Sequence, residues 1–354
     1  MPFGFPGGAI SEGSKRLELG AVVVVPDRNE LTEIDEAQPH APAASESPRP
    51  HYSSRTPILG NDVMRSWMVR FRKLGMQSLW LTSSPREESV AGSALAGLAR
   101  QGVERLLVIK LKSYSELDLA DLVRFHHDGR NPVTEAQDAG GQLGISLLDL
   151  RALHAAGKRY AFSCGPAESG RVPYQFHGYA KGILTTRGRQ QLVGDALTGA
   201  CAMQPSGTEI REQVWIGEDV KLADSARVIG PSYVGTRTIV RAGATIGPFA
   251  SVEHDCVVDC GTTVERSTVL PHTYLAPGLM IRHQLVDGGY LEDMSSGAVA
   301  DLHPAGLGSR ILHRRESRRK VFSETDVFSR ASSASALEYA RSSTASQPWL
   351  EVKL

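Results

Sequence analysis

Stepping by six residues from Ile216 reaches Leu222, Val228, Val234, Val240, Ile246, Val252, Val258, Val264 and Leu270, and all ten positions are aliphatic. Two residues before each stand Val214, Val220, Ala226, Ser232, Thr238, Ala244, Ala250, Cys256, Thr262 and Thr268, which are small or β-branched. A sandwich strand would alternate with period two and turn every 8–12 residues. A period of six instead fits a triangular coil in which each hexad makes one short strand and one corner. The aliphatic fills the prism interior and the small residue fits where the walls converge. Three hexads close a coil, so residues 18 apart stack at the parallel-strand spacing of roughly 4.8 Å. The segment 214–272 therefore predicts a left-handed parallel β-helix of just over three coils. Ile216, Val234, Val252 and Leu270 should stack on one face.

The pattern before residue 205 is different. AVVVV at 21–25 is an unbroken β-branched run, the mark of a strand buried on both faces. A Pro-, Ala-, Ser- and acid-rich stretch, 26–57, reads as a long loop. From Asn61 a helix is expected, capped by Asn61 or Asp62, with Met64, Trp67, Met68 and Phe71 on one face and Gly75 at its end. LWL at 79–81 is the next strand, followed by a helix near 89–101 and the strand LLVIKL at 106–111. A helix over 116–128 carries Leu119, Leu122, Val123 and His126 on one side and ends at Gly129. Strands alternating with helices predict a doubly wound, Rossmann-like α/β domain. The expected organisation is a flexible 1–18, an α/β domain over 19–205, the β-helix with a capping hairpin over 206–302, and a tail over 303–354. That tail opens with the basic run RILHRRESRRK and becomes Ser- and Ala-rich.

Composition narrows the function classes. Lys plus Arg and Asp plus Glu are both 39 in 354 residues, so no global field points to nucleic acid or to a membrane. Cys164, Cys201, Cys256 and Cys260 are too few for a disulfide scaffold, and no CxxC pair suggests zinc. The start, MPFGFPGGAISEGSKRLELG, lacks the form of a signal peptide, and no run of 18 apolar residues exists. A cytoplasmic location is the expectation.

Two constellations lie on the repeat. His254 and His272 are 18 apart and should share a corner above Thr236 and Glu218. Such a pair can be a polar surface ladder, a metal site, or a general base for acyl transfer. Arg241 and Asp259 have the same spacing and should form a surface ion pair. Cys256, in CVVDC, takes a small inward position and reads as packing.

The order of elements resembles bacterial sugar-nucleotide synthases, the nucleoside-diphosphate-sugar pyrophosphorylases such as mannose-1-phosphate guanylyltransferase. The resemblance runs over about residues 20–300. TPILGNDVMRSWMVRFRKLGMQSLWLT is similar to their second strand–helix–strand unit. LLVIKLKSYSELDLADLVRFHHDGRNPVT is similar to the unit bearing a metal-binding aspartate, and HGYAKGILTTRGRQQLVGDAL to the end of the catalytic domain. LVDGGYLEDM at 285–294 resembles the hairpin that follows the repeat.

The departures bear on activity. The family's first strand runs into a Gly-rich loop with an Arg and a later Pro-Lys-Pro that hold the triphosphate. Here AVVVV runs into PDRNELTEIDEAQPHAP, acidic and without glycine, and Arg55 is the cation nearest the family lysine. The family's Gly-Asp at the end of its metal-bearing strand falls on Leu111 and Lys112, and its second metal aspartate falls on Gly182. A lysine repels Mg²⁺ and glycine has no side chain to offer. VTEAQDAGGQLGISLLDL occupies the place where the family inserts a sugar-binding segment. The resemblance thus implies a truncated nucleotidyltransferase domain that binds a nucleotide or sugar nucleotide without transfer, serving binding, assembly or regulation in sugar-nucleotide or cell-envelope polysaccharide metabolism. Arg55 and Lys112 are the candidate phosphate-binding residues, and His254 and His272 form the second candidate site. No cofactor is implied unless transfer survives, in which case Mg²⁺ is required. Two alternatives stand beside it: an active pyrophosphorylase, and a hexapeptide-repeat acyltransferase or metal-dependent enzyme using His254 and His272. Self-association through the β-helix is expected.

Overall fold

The computed structural model describes residues 19–24, 56–76, 78–82, 103–155, 171–301, 308–310 and 350–353. The segment 1–18, the loop up to residue 55 with Arg55, the helix expected near 89–101, Cys164 and the basic tail lie outside the described residues.

The α/β domain is built on a seven-stranded sheet. Strand β1 (Leu19–Val24) pairs in parallel with β2 (Ser78–Thr82) on one side and β3 (Arg105–Lys110) on the other. Helix α1 (Val63–Lys73) begins where the Asp62 carboxylate accepts from the Met64 N–H, satisfying one donor of the first turn. Its buried face is Val63, Met64, Trp67 and Phe71. After β3 come a short strand β4 (Ser113–Ser115) and helix α2 (Leu119–Asp128), capped by Asp118 and ending at Gly129. Helix α2 starts three residues later than the sequence pattern suggests, because Glu116 and Leu117 are taken up before the Asp118 cap.

Strands β5 (Val133–Asp138) and β6 (Gly141–Asp149) form a tight hairpin, with Asp138 opposite Gly141 and β6 antiparallel to β3. This hairpin stands where the sequence resemblance places a missing sugar-binding insertion. Helix α3 (Leu150–Ala155), strand β7 (Arg171–Gln175), strand β8 (Ala180–Gly182) and helix α4 (Thr186–Leu197) complete the domain. The strand Leu350–Lys353 adds antiparallel to the free side of β2.

After β9 (Thr208–Arg211) the chain winds into a parallel β-helix with three walls. On the first wall Ile216 aligns with Val234 and Val234 with Val252, as the six-residue step requires. The next partner is Val269, not Leu270. The corner between Val264 and Val269 carries one residue fewer than the earlier ones, and the same shortening recurs between Ile281 and Val286. A one-residue slip sends each side chain to the opposite face. Ser267 therefore takes the small inward place expected of Thr268, which faces outward to the Gln190 amide. Leu270 leaves the prism and packs with Leu285 and Met294. The coils continue through Val286, so the helix is longer than the ten hexads read from the sequence.

Val234, Val240, Ile246, Val252, Val258 and Val264 fill the prism, each at most 1% exposed. Leu222, also expected inside, is 39% exposed, because its strand Lys221–Leu222 is the terminal rung of its wall among the described strands. At the other end, Gln284–Asp287 is both the last rung and the first arm of a hairpin with Tyr290–Asp293.

The outer face of the first wall carries the α/β domain. Tyr233 belongs to that domain's core cluster, and the partly buried Trp215 packs against it. The Glu253 carboxylate, wholly buried, accepts the backbone N–H groups of Leu59 at 2.8 Å and Gly60 at 2.9 Å. Gly60 sits at φ +73°, and a Cβ there would lie 2.3 Å from the Tyr233 hydroxyl, so only glycine fits against this wall. Arg189, from α4, donates to the carbonyls of Thr56 and Pro57; burial pushes the Glu253 carboxyl above its usual range, and the Gly60 N–H and the Arg189 guanidinium partly offset that. Gln190 joins in by donating to the Phe249 carbonyl.

Candidate functional site

Ligands in open α/β sheets bind beyond the carboxyl ends of the strands. Lys112 lies there, two residues past the end of β3. Its stem rests on the backbone of Gly144 in β6: a Cβ at Gly144 would meet the Lys112 Cγ and Cε at 3.0 Å, and Gly144 itself sits at φ +78°. Gly182 is beside it. Strand β4 pairs antiparallel with β8 so that Ser113 stands opposite Gly182, and the Ile183 N–H donates to the Lys112 carbonyl at 3.0 Å. The two positions singled out from distant parts of the sequence are thus neighbours at one sheet edge.

The nearby carboxylates have structural partners. Glu116 accepts from the Tyr114 hydroxyl and the Ala202 N–H. Asp118 caps α2 through the Ala120 N–H. Asp195 accepts from the Tyr179 hydroxyl at 2.6 Å and has the Lys181 ammonium 3.9 Å away. Burial, followed by the hydrogen bond to Asp195, pushes the Tyr179 phenol far up, so it donates at any ordinary pH. Arg70, reaching from α1, donates to the carbonyls of Ser115 and Leu117 and stacks on Trp67. It ties the α1 face to the β4 segment that follows Lys112.

Mg²⁺ asks for oxygen ligands in near-octahedral array. An ammonium at 112 and a bare backbone at 182 do not supply them, and the carboxylates around them are held in caps and hydrogen bonds. Among the described residues, those at this site do not fit the Mg²⁺ that the resemblance implies for a transferase.

The second candidate site is a β-helix corner. Asp219, Arg237, Asp255 and His272 all have positive φ, between 54° and 61°, and occupy successive turns of one corner. Backbone bonds stack it: Arg237 N–H to the Glu218 carbonyl, Asp255 N–H to the Thr236 carbonyl, His272 N–H to the His254 carbonyl. The His254 and His272 rings meet, with centroids 5.0 Å apart and planes at 84°, but not by the expected stacking: the shortened corner puts His272 in the Asp219–Arg237–Asp255 column, while only His254 follows Glu218 and Thr236. The sequence reading missed Asp255, towards which both rings turn. Its neighbour Arg237, 18 residues earlier, was the available signal. Burial alone would raise the Asp255 carboxyl, but hydrogen bonds from Arg237 and His254 outweigh it and hold the group well below the usual carboxylate range. Cys256 is buried inward as expected, its thiol contacting the Leu270 carbonyl. Arg241 and Asp259 form the expected pair at 3.6 Å.

No protein-family model matches the chain. Among curated proteins, it is 29% identical over 116 residues to UTP–glucose-1-phosphate uridylyltransferase of Synechocystis sp. (strain ATCC 27184 / PCC 6803 / Kazusa), covering 32% of this chain and 30% of that protein. It is 30% identical over 115 residues to the bifunctional protein GlmU of Bifidobacterium longum (strain NCC 2705), covering 29% of this chain and 23% of the relative. Over about a third of its length, the chain is similar to sugar-nucleotide synthases. The synthase-like match spans less than a third of each of these relatives. The Rossmann-like sheet followed by a β-helix agrees with the architecture read from the sequence. Among the described residues, no helix is long and apolar enough to cross a membrane.

Proposed function

We propose that the α/β domain binds a nucleotide or sugar nucleotide and does not transfer nucleotidyl groups, acting in binding, assembly or regulation within sugar-nucleotide or cell-envelope polysaccharide metabolism. The observation that carries this reading is the adjacency of Lys112 and Gly182 at the end of β3. Nucleotidyl transfer depends on metal and cations that neutralise developing phosphate charge. A lysine at the metal position supplies one fixed positive charge without a Lewis acid, which suits holding phosphate oxygens more than exchanging them. The tight β5–β6 hairpin supports the same reading, because it stands where the resemblance places a sugar-binding insertion.

Binding and turnover are tested separately. Isothermal titration with nucleoside triphosphates and nucleoside-diphosphate sugars should show binding, and Lys112→Ala should weaken it at least tenfold while circular dichroism stays unchanged. Incubation with a sugar 1-phosphate, a nucleoside triphosphate and Mg²⁺ should release no pyrophosphate. The names of the relatives favour the second reading, an active transferase. Mg²⁺-dependent pyrophosphate release would establish it, and Glu116, Asp118 and Asp195 would then be the first carboxylates to substitute. Self-association through the β-helix is part of the proposal: Ile210, Leu222 and Ile229 leave apolar surface exposed around its first coil. Light scattering that reports a monomer at high concentration would exclude it.

A further inference from the structure

Among the described residues, one group of side chains has the make-up of a metal site, and it lies on the β-helix rather than in the α/β domain. His254 Nδ1 is 2.9 Å from Asp255 Oδ2, and His272 Nδ1 is 3.8 Å from that same oxygen. One ligand atom from each of the three residues lies within 4.8 Å of the others. Two imidazole nitrogens and one carboxylate oxygen form a donor set that suits zinc. Tetrahedral zinc with bonds of about 2.0–2.1 Å holds its ligand atoms roughly 3.3 Å apart. The two distances to the Asp255 oxygen lie on either side of that value, and the ligand atoms of the three residues all lie within 4.8 Å of one another.

The fold holds these groups in place from below. Asp255 and His272 are fixed by the stacked corner, and the Asp255 side chain is 4% exposed whereas the two histidines are 30% and 44% exposed. The rings thus retain room to turn towards an ion. Arg237, one coil earlier, grips the carboxylate with both prongs of its fork, Nε to Oδ1 at 2.6 Å and a terminal nitrogen to Oδ2 at 2.5 Å. Without an ion, the His254 Nδ1–H donates to this carboxylate at 2.9 Å, and a bound metal would take the place of that proton. Partners of this kind orient a metal-binding carboxylate from outside, and Arg237 is placed as one. Its charge also opposes a nearby cation, which sets the affinity below that of a site without it.

We propose that His254, His272 and Asp255 bind one divalent transition-metal ion, zinc best of all, leaving a fourth position open to water or to an anionic ligand from solution. The proposal is independent of whether the α/β domain binds nucleotides.

The test is titration of the full chain with Co²⁺, read by the intense visible bands of tetrahedral cobalt, then with Zn²⁺ in competition with a chromogenic chelator. One equivalent of Co²⁺ should give tetrahedral bands, displaced by Zn²⁺ and not by Ca²⁺. His254→Ala and His272→Ala should each weaken binding at least tenfold, and the double variant should lose that equivalent. Absence of tetrahedral bands in the wild type overturns the proposal whatever the variants do. So does an equivalent of metal that persists in a folded double variant, because the ion would then sit elsewhere.

Discussion

The β-helix and the α/β domain solve the burial problem in opposite ways. In the β-helix each inward side chain touches its counterpart one coil away, so Val234 meets Val252 and Val240 meets Val258. The stabilising contacts are nearly constant in sequence separation, and any one coil resembles the next. In the α/β domain, β1 pairs with β3 from more than 80 residues away, and the edge strand comes from 350–353. A repeat spreads its stability evenly and couples only neighbours. A wound sheet concentrates it in long-range pairings, which leaves its strand ends open for ligands.

Three measurements would sharpen or break that contrast. The largest effect is expected inside the prism. Val240 is 1% exposed between two aliphatic neighbours, and Val240→Asp places an unpaired charge there. It should cost about 4 kcal/mol or more. A near-normal melting temperature would show that residue 240 does not point inward.

Next comes the joint between the two regions. Glu253→Ala removes the acceptor for the Leu59 and Gly60 N–H groups in a buried place. Leaving two donors unsatisfied should cost about 3 kcal/mol. The loss should fall on the α/β domain, so calorimetry should resolve two transitions where the wild type shows one. A single unchanged transition would mean that the joint does not couple the domains.

The smallest effect concerns His126 on α2. It is 2% exposed, bonded through Nδ1 to the Thr134 hydroxyl at 2.8 Å, and burial together with nearby Arg105 lowers it from 6.5 to about 4. The unfolded chain binds this proton at a higher pH than the folded chain does. Stability from this group is therefore complete well above pH 6.5 and is lost as pH falls towards 4, by about 2.5 kcal/mol at pH 4.5. His126→Leu should flatten that part of the stability–pH curve, and an unchanged slope would contradict it.

What was legible in the sequence follows from the same contrast. The hexad period exposed the β-helix because a local rule generates it. The strands AVVVV and LLVIKL and the cap at Asp62 were also local. The short corner before Val269 was hidden because Leu270 is itself aliphatic and satisfied the six-residue count. The joint was hidden because Glu253 and Leu59 are 194 residues apart, and an acid between Val252 and His254 reads as solvent-facing. At the metal-family positions, the resemblance marked Lys112 and Gly182 separately. Only the β4–β8 pairing brings them side by side. The histidine corner was half legible: spacing gave the two rings, while the carboxylate that joins them lies next in sequence to one and could not be assigned a direction.

The shortened corners have a consequence for how this molecule tolerates change. Losing one residue before Val269 shifted the phase of all that follows, yet Tyr274 still pairs with Val257 and Met280 with Thr263. Each coil takes its alignment from the coil beneath rather than from a count begun at the first hexad. The β-helix therefore re-registers after a deletion at a corner, as a zip does above a missing tooth. A deletion inside a two- or three-residue rung has no such remedy, because it removes the inward side chain itself. Length variation along this solenoid should collect at the corners, and any ligand gripping a corner would find its partners displaced by one residue while the walls behind them stay in line.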